Sequence, residues 1–329
     1  MQSMLSVSTT DVEAALRQIR ELSVTGCDIV RIALPDKAAV EAFSEIRAQT
    51  SMPLVADIHF DHRLAILAAE ADADKLRINP GNIGSEAKVR EVATAAKERK
   101  IPIRIGVNAG SLPKDLADGP LSAKKMLDAA SREIEILLNA KFEDIVVSLK
   151  AHSPALTVEA NRLFAERFDF PLHLGVTEAG LPREGSIRSA IGIGTLLLEG
   201  IGDTIRVSLT GNPVEEVIVG KQILMACGLR KSGIELVSCP TCGRCRVDVA
   251  TITEAISNRL PEIDKHIVVA VMGCEVNGPG EAKAADVGIA GGDGFFLLFK
   301  EGKPLGKIRE DEAVERLLGE VNRVLVRSN

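Results

Sequence analysis

Short apolar runs alternate with longer amphipathic segments from residue 1 to about residue 228. The runs CDIVRIAL (27–34), MPLVADI (52–58), KLRIN (75–79), IPIRIGVN (101–108), DIVVSLK (144–150), PLHLGV (171–176) and DTIRVSL (203–209) read as buried strands. A weaker run lies between Met1 and Val7. Helical spacing follows each run. VEAALRQIREL puts Val12, Ala15, Ile19 and Leu22 on one face, and KMLDAASREIEILL and PVEEVIVGKQILMA repeat the pattern. Eight strand–helix units predict an α/β fold, a closed parallel (β/α)8 barrel of TIM type over residues 1–230. An open doubly wound sheet is the alternative for the same alternation.

The pattern changes after GLRKSG, a basic, glycine-flanked linker at 228–233. IELVS and HIVVAVM read as strands, and VATITEAISNRL as a helix between them. ADVGIAGG and FFLLFK read as a hairpin, closed by a helix in EDEAVERLLGEVNRVLV. Residues 231–329 are therefore expected to form a smaller α+β domain. AIGIGT (190–195) lacks the full spacing of a phosphate loop and reads as close packing.

Polar side chains gather where the barrel strands end: Asp57 and His59, Asn79 and Asn82, Asn108 and Ser111, Lys150 and His152, Thr177 and Glu178, Ser208 and Thr210. In a parallel barrel these ends share one rim, where active sites are built. Arg31, Arg77, Arg104 and Arg206 sit inside apolar strands, although a guanidinium is rarely buried without a partner. Separate buried ion pairs are one explanation. The other is a ring of donors facing the barrel mouth, joined by Lys150 and suited to phosphate oxygens.

Composition narrows the partners. The chain has 329 residues, a net charge of −6, and neither Trp nor Tyr. Acidity argues against a nucleic-acid or membrane-surface binder, and the aromatic deficit against single-strand stacking. No apolar run reaches a membrane-spanning length of about 18 residues and no secretion signal precedes the first strand, so a cytoplasmic protein is expected. In that compartment clustered thiols are metal ligands more often than disulfides. A cationic pocket on such an acidic protein suits a small, strongly anionic ligand, a phosphate or diphosphate ester.

Four of the six cysteines fall in SCPTCGRCRVD (238–248) and MGCEVNGPGEA (272–282). Cys239 and Cys242 share a turn after a strand, and Cys274 follows the next strand. By spacing alone Cys245 is the natural fourth thiolate, and zinc and an iron–sulfur cluster fit equally. Cys27 and Cys227 lie in apolar surroundings and read as small core residues.

ADIHFDHRLA, LRINPGNIG, IPIRIGVNAGSL, PLHLGVTEAG, EGIGDTIRVSL, CPTCGR and GCEVNGPGEA occur in this order along nearly the whole chain. Together they resemble the 4-hydroxy-3-methylbut-2-enyl diphosphate synthases, iron–sulfur enzymes of the non-mevalonate isoprenoid pathway. The resemblance implies a barrel followed by an α+β iron–sulfur domain. It implies reductive opening and dehydroxylation of 2-C-methyl-D-erythritol 2,4-cyclodiphosphate with two electrons from a 4Fe-4S cluster. The cluster ligands carried onto this chain are Cys239, Cys242, Cys274 and Glu281, leaving Cys245 a spectator. Substrate contacts fall on Arg31, Arg77, Arg104, Asn108, Lys150, Arg206 and Ser208, with Asp57, His59, Thr177 and Glu178 at the rim. Glu178 takes the part of proton source for the departing hydroxyl. Flavodoxin or ferredoxin is the implied electron donor. The implied assembly is a homodimer in which one chain's cluster domain caps its partner's barrel. Two departures stand out: the chain starts later than family members usually do, and the familiar Gln-Ser-Met-Thr-Asn reads Gln2, Ser3, Met4, Leu5, Ser6. The competing reading is a barrel enzyme for another phosphate ester with a structural zinc site.

Overall fold

The computed structural model describes the chain except residues 84, 232, 262, 264, 275–283 and 327–329. It divides into two compact units, Met1–Leu229 and Arg230–Asn329.

The first unit alternates strands and helices: β1 (Gln2–Met4), α1 (Val12–Thr25), β2 (Ile29–Ala33), α2 (Lys37–Ala48), β3 (Leu54–Asp57), α3 (His62–Glu70) and β4 (Lys75–Ile78). A short α4 (Pro80–Ile83) precedes α5 (Glu86–Arg99) and β5 (Ile103–Asn108), and a short α6 (Lys114–Ala117) precedes α7 (Ala123–Asn139) and β6 (Ile145–Lys150). Then follow α8 (Pro154–Arg167), β7 (His173–Leu174), α9 (Pro182–Leu198), β8 (Thr204–Ile205) and α10 (Pro213–Ala226).

Local chemistry sets the helix ends. The Asp11 carboxylate accepts from the Ala14 N–H at 3.0 Å, and Gly26 ends α1 in the left-handed region at φ 96°. Ser153 and Asn212 cap α8 and α10, each followed by a proline that needs no intrahelical donor.

Strands β1 to β6 form one parallel sheet in sequential order, and β7 pairs with β8. A bridge between Val147 and Leu172 links the two sheets. Among the described residues no backbone ladder joins β8 to β1; that seam is spanned by α10. Its Gly220 lies so close to Met1 that an added Cβ would come within 2.4 Å of the Met1 side chain. The Ser3 hydroxyl also donates to Glu216 of α10 at 3.0 Å. The segments PLHLGV and DTIRVSL shorten to the two-residue strands His173–Leu174 and Thr204–Ile205.

Register places the polar side chains. Asp57 pairs with Arg77 and Arg77 with Arg104 across β3, β4 and β5, while Asn108 pairs with Lys150. Register partners share a face, so Asp57, Arg77 and Arg104 stand in one row inside the curled sheet.

The second unit comprises β9 (Ile234–Ser238), α11 (Val249–Ser257), β10 (Ile267–Met272), β11 (Val287–Gly291), β12 (Phe295–Lys300), β13 (Lys303–Arg309) and α12 (Ala313–Val326). Its sheet order is β13-β12-β11-β10-β9. The β11–β12 hairpin is present, and β13 extends it as an exposed edge strand. Charged and glycine positions in KPLGKIR dilute its apolar alternation, which hides β13 from pattern reading. Val249 and Ile256 of α11 and Leu317, Leu318 and Val321 of α12 join the core of this unit.

Candidate active site

A cavity of about 190 Å³ opens at the C-terminal ends of the first unit's strands. Arg31, Asp57, His59, Arg77, Arg104, Asn108, Lys150, Thr177, Arg206 and Ser208 all line it, with Met4 and Ser148. Glu178 borders instead a neighbouring cavity of about 510 Å³, which shares Asn108 and Thr177 and includes His152. Its backbone sits at φ 55°, a left-handed conformation uncommon for a side-chain-bearing residue. The Glu178 carbonyl accepts from the His152 ring at 2.9 Å, which fixes this turn.

The two explanations of the in-strand arginines both hold in part. Asp57, only 2% exposed, takes Arg77 at 3.1 Å and Arg31 at 3.5 Å. Burial pushes its pKa up. The His59 hydrogen bond and the charges of Arg31 and Arg77 outweigh that and hold the carboxyl well below the usual carboxylate range. Arg31 is itself pushed down to about 10, mainly by burial, with Asp57 opposing. It also donates to the Met4 thioether at 2.8 Å. Arg206 pairs with Glu216 at 3.2 Å.

Among the described residues no carboxylate pairs with Arg104 in this way. It is 2% exposed, and among the described residues its Nε and Nη1 atoms meet no acceptor. Burial, then the charges of Arg31 and Arg77, push its pKa well below the ordinary guanidinium value. Lys150 is 7% exposed and is pushed down in the same way, first by burial and then by Arg104, Arg206, Arg31 and Arg77. Two carboxylates, Asp57 and Glu216, thus face five buried or half-buried cations. The surplus is a standing cost, because buried charge is tolerated only when compensated. An anion with several oxygens would remove it.

A direct consequence concerns Asp57. Its depressed pKa contributes stability that is fully present above the unfolded carboxylate value, about 3.9, and is lost as pH falls through the folded value. Asp57→Asn is expected to cost about 3–5 kcal/mol near neutral pH, since it strands Arg31 and Arg77. Denaturant titrations should find the gap between variant and parent narrowing below about pH 4. A gap that is constant with pH would contradict the ion-pair account.

Glu216, Met4 and Ser148 were not among the residues the pattern singled out. Glu216 is 3% exposed and gathers Ser3, the Leu209 N–H and Arg206. Its signal was available: it falls on the stripe Pro213, Glu216, Gly220, Ile223, which is otherwise apolar.

In the second unit, β9 and β10 are parallel neighbours with Ser238 opposite Val271, so Cys239 and Cys274 leave adjacent strand ends. The Gly273 N–H donates to Cys239 Sγ at 3.0 Å. A Cβ on Gly273 would come within 2.5 Å of Cys245 Sγ and 3.4 Å of Cys239 Sγ, so the two sulfurs converge over its backbone. A turn closed by the Cys245 N–H on the Cys242 carbonyl, 2.9 Å, keeps Cys242 beside them. Hydrogen bonds from the Arg244 backbone and side chain pull the Cys242 thiol down. All six cysteines are free thiols. Among the described residues no three potential ligands already surround one ion position, and Glu281 lies outside those residues. Soft thiols converging from adjacent strand ends nevertheless fit a thiolate-held metal or cluster. No helix of the described residues is long and apolar enough to cross a membrane.

Residues 1–221 match the family model described as the GcpE TIM-barrel domain, and residues 235–323 the GcpE protein C-terminal domain. The chain is thus a two-part protein with a TIM-barrel-family domain and a thiol-bearing companion. Among its relatives, the proteins of Thermodesulfovibrio yellowstonii and Caldanaerobacter subterraneus are 54% and 53% identical, covering 98% and 99% of this chain and 93% and 92% of their own. The Geobacter sulfurreducens protein is 52% identical over 99% of this chain and 93% of its own. All three are named 4-hydroxy-3-methylbut-2-en-1-yl diphosphate synthase (flavodoxin), and this chain belongs to that family of enzymes.

Proposed function

We propose that this chain converts 2-C-methyl-D-erythritol 2,4-cyclodiphosphate to 4-hydroxy-3-methylbut-2-enyl diphosphate. The observation that carries this reading is Arg104, a buried guanidinium whose Nε and Nη1 meet no acceptor among the described residues, in a cavity where cations outnumber carboxylates. A cyclic diphosphate supplies the missing negative oxygens on a compact frame. Arg31, Arg77, Arg104, Lys150 and Arg206 grip it, while Asn108, Thr177 and Ser208 orient its hydroxyls. Asp57 and His59 hold Arg31 and Arg77 in place. Glu216 of α10 links Arg206, beside β8, to Ser3 of β1 across the seam between those strands.

Residues 231–329 serve as the iron–sulfur domain. Cys239, Cys242, Cys274 and Glu281 would hold a 4Fe-4S cluster, which supplies the two electrons the dehydroxylation consumes. Cys245 is the spectator of this ligand set. Flavodoxin, which the relatives' names carry, is the proposed donor. Free thiols suit a reducing cytoplasm. In this reading the chain works as a homodimer, the iron–sulfur domain of one chain capping the barrel of its partner.

Ring opening leaves a hydroxyl that must depart as water, so a proton has to be delivered to it. Glu178 is the proposed source, at the mouth of the adjoining cavity. Glu178→Gln is expected to leave substrate affinity intact and slow turnover by about 10²–10⁴-fold. Unchanged turnover would remove it from the mechanism. Anaerobic electron paramagnetic resonance tests the reading as a whole. After reconstitution with iron and sulfide, the reduced protein should show a cluster signal that the cyclic diphosphate perturbs. Bound zinc and no such signal would favour the other phosphate-ester enzyme.

A further inference from the structure

The geometry points to Gly106 as the positioning residue for Arg77, a seat across which its guanidinium lies. Gly106 occupies an inward position of β5, two residues beyond Arg104, the register partner of Arg77. A Cβ at Gly106 would lie 2.7 Å from Arg77 Nη2, 2.9 Å from Nε and 3.2 Å from Cζ. Those are its three nearest neighbours, and all belong to the end of one flexible side chain. Non-bonded heavy atoms settle near 3.5–4.0 Å, so an alanine here would push the guanidinium roughly 1 Å off the wall. From its present place Arg77 reaches Asp57 at 3.1 Å and the His59 ring at 3.2 Å. Displacement costs those bonds and moves positive charge into a cavity of only about 190 Å³.

Gly175 makes the contrast. A Cβ there would meet Lys150 Nζ at 2.8 Å, but also the Arg206 backbone carbonyl at 2.6 Å. Backbone cannot yield as a side chain can, so Gly175 is required by the fold itself. Gly106 meets only Arg77 at such range, which separates positioning from folding.

This inference deepens the proposed function and rests on it for the ligand, yet part of its test does not. Gly106→Ala is expected to fold, with a melting temperature lowered by less than in Asp57→Asn, because Asp57 keeps its pair with Arg31. Its crystal structure should show β5 in place and the Arg77 guanidinium drawn away from Asp57, whatever the cavity binds. Affinity for the cyclic diphosphate, measured by calorimetry, should fall about 10- to 100-fold. Arg77→Ala and Arg77→Ala/Gly106→Ala should then bind alike within about twofold, because without the guanidinium the added methyl has nothing to displace. The seat is overturned if Gly106→Ala binds like the parent, if its penalty persists without Arg77, or if it fails to fold in both backgrounds. A parent that does not bind the cyclic diphosphate sinks the functional reading instead, and the crystal structure of Gly106→Ala still decides the seat.

Discussion

Arg104→Met is expected to raise the melting temperature of the unliganded protein and to cut affinity for the cyclic diphosphate by roughly 10²–10³-fold. The opposite signs follow from one observation. Arg104 is buried with two guanidinium nitrogens unpaired among the described residues, and of the charged groups acting on it Arg31, Arg77 and Arg206 are cationic and only Asp57 opposes them. Taking a charge out of water costs several kcal/mol unless an opposite charge meets it. Methionine keeps much of the length, fills the space with apolar atoms and removes the repulsion. Exchanges of buried charge for packed apolar groups are often neutral or stabilising by about 1–4 kcal/mol. The ligand inverts the balance, because losing one charged donor from a desolvated anion site costs about 2–5 kcal/mol of binding. Scanning calorimetry without ligand and titration calorimetry with it measure the two signs separately. A melting temperature that falls with affinity unchanged would show Arg104 to be a structural residue paired by some other group.

Cys239→Ser is expected to abolish cluster assembly, with loss of bound iron and sulfide and of all turnover, while Cys245→Ser assembles a full complement. Cys239 leaves the end of β9, and its Sγ accepts the Gly273 N–H at 3.0 Å, which fixes the sulfur beside the end of β10. Serine offers a hard oxygen in place of the soft sulfur that iron–sulfur clusters take. The proposal therefore separates two residues whose sulfurs both crowd against Gly273. Burial, opposed by a hydrogen bond from the Cys242 backbone, holds the Cys245 thiol up and favours its protonated form. Iron and sulfide analysis after anaerobic reconstitution checks both variants without an activity assay. Assembly in Cys239→Ser together with failure in Cys245→Ser would replace Cys239 by Cys245 in the ligand set.

Much of this architecture was legible in the sequence for a simple reason. Strands buried on both faces announce themselves as continuous apolar runs, and an arginine inside such a run, as in IVRIAL or IPIRIGVN, has to be compensated. Arg31, Arg77, Arg104 and Arg206 do line one cavity. How each is compensated could not be read, because pairing depends on register: Asp57 faces Arg77 only through the alignment of β3 with β4. Glu216 was hidden differently. A glutamate in the first turn of a helix is ordinary on dipole grounds, and only its place on the buried stripe of α10 marks it out. Gly106 carried no signal at all, since a glycine in a strand says nothing about whose side chain crosses it. Glu178 reached a rim as its position after the seventh run implied, but at the neighbouring cavity rather than the cationic one.

Titration calorimetry of the cyclic diphosphate into the purified chain, at two ionic strengths, tests most directly whether the barrel mouth is an anion site. The expected result is one site per chain, weaker at higher salt, with 2-C-methyl-D-erythritol itself giving no heat. Equal affinity for the uncharged polyol, or no binding of the cyclic diphosphate at all, would contradict it.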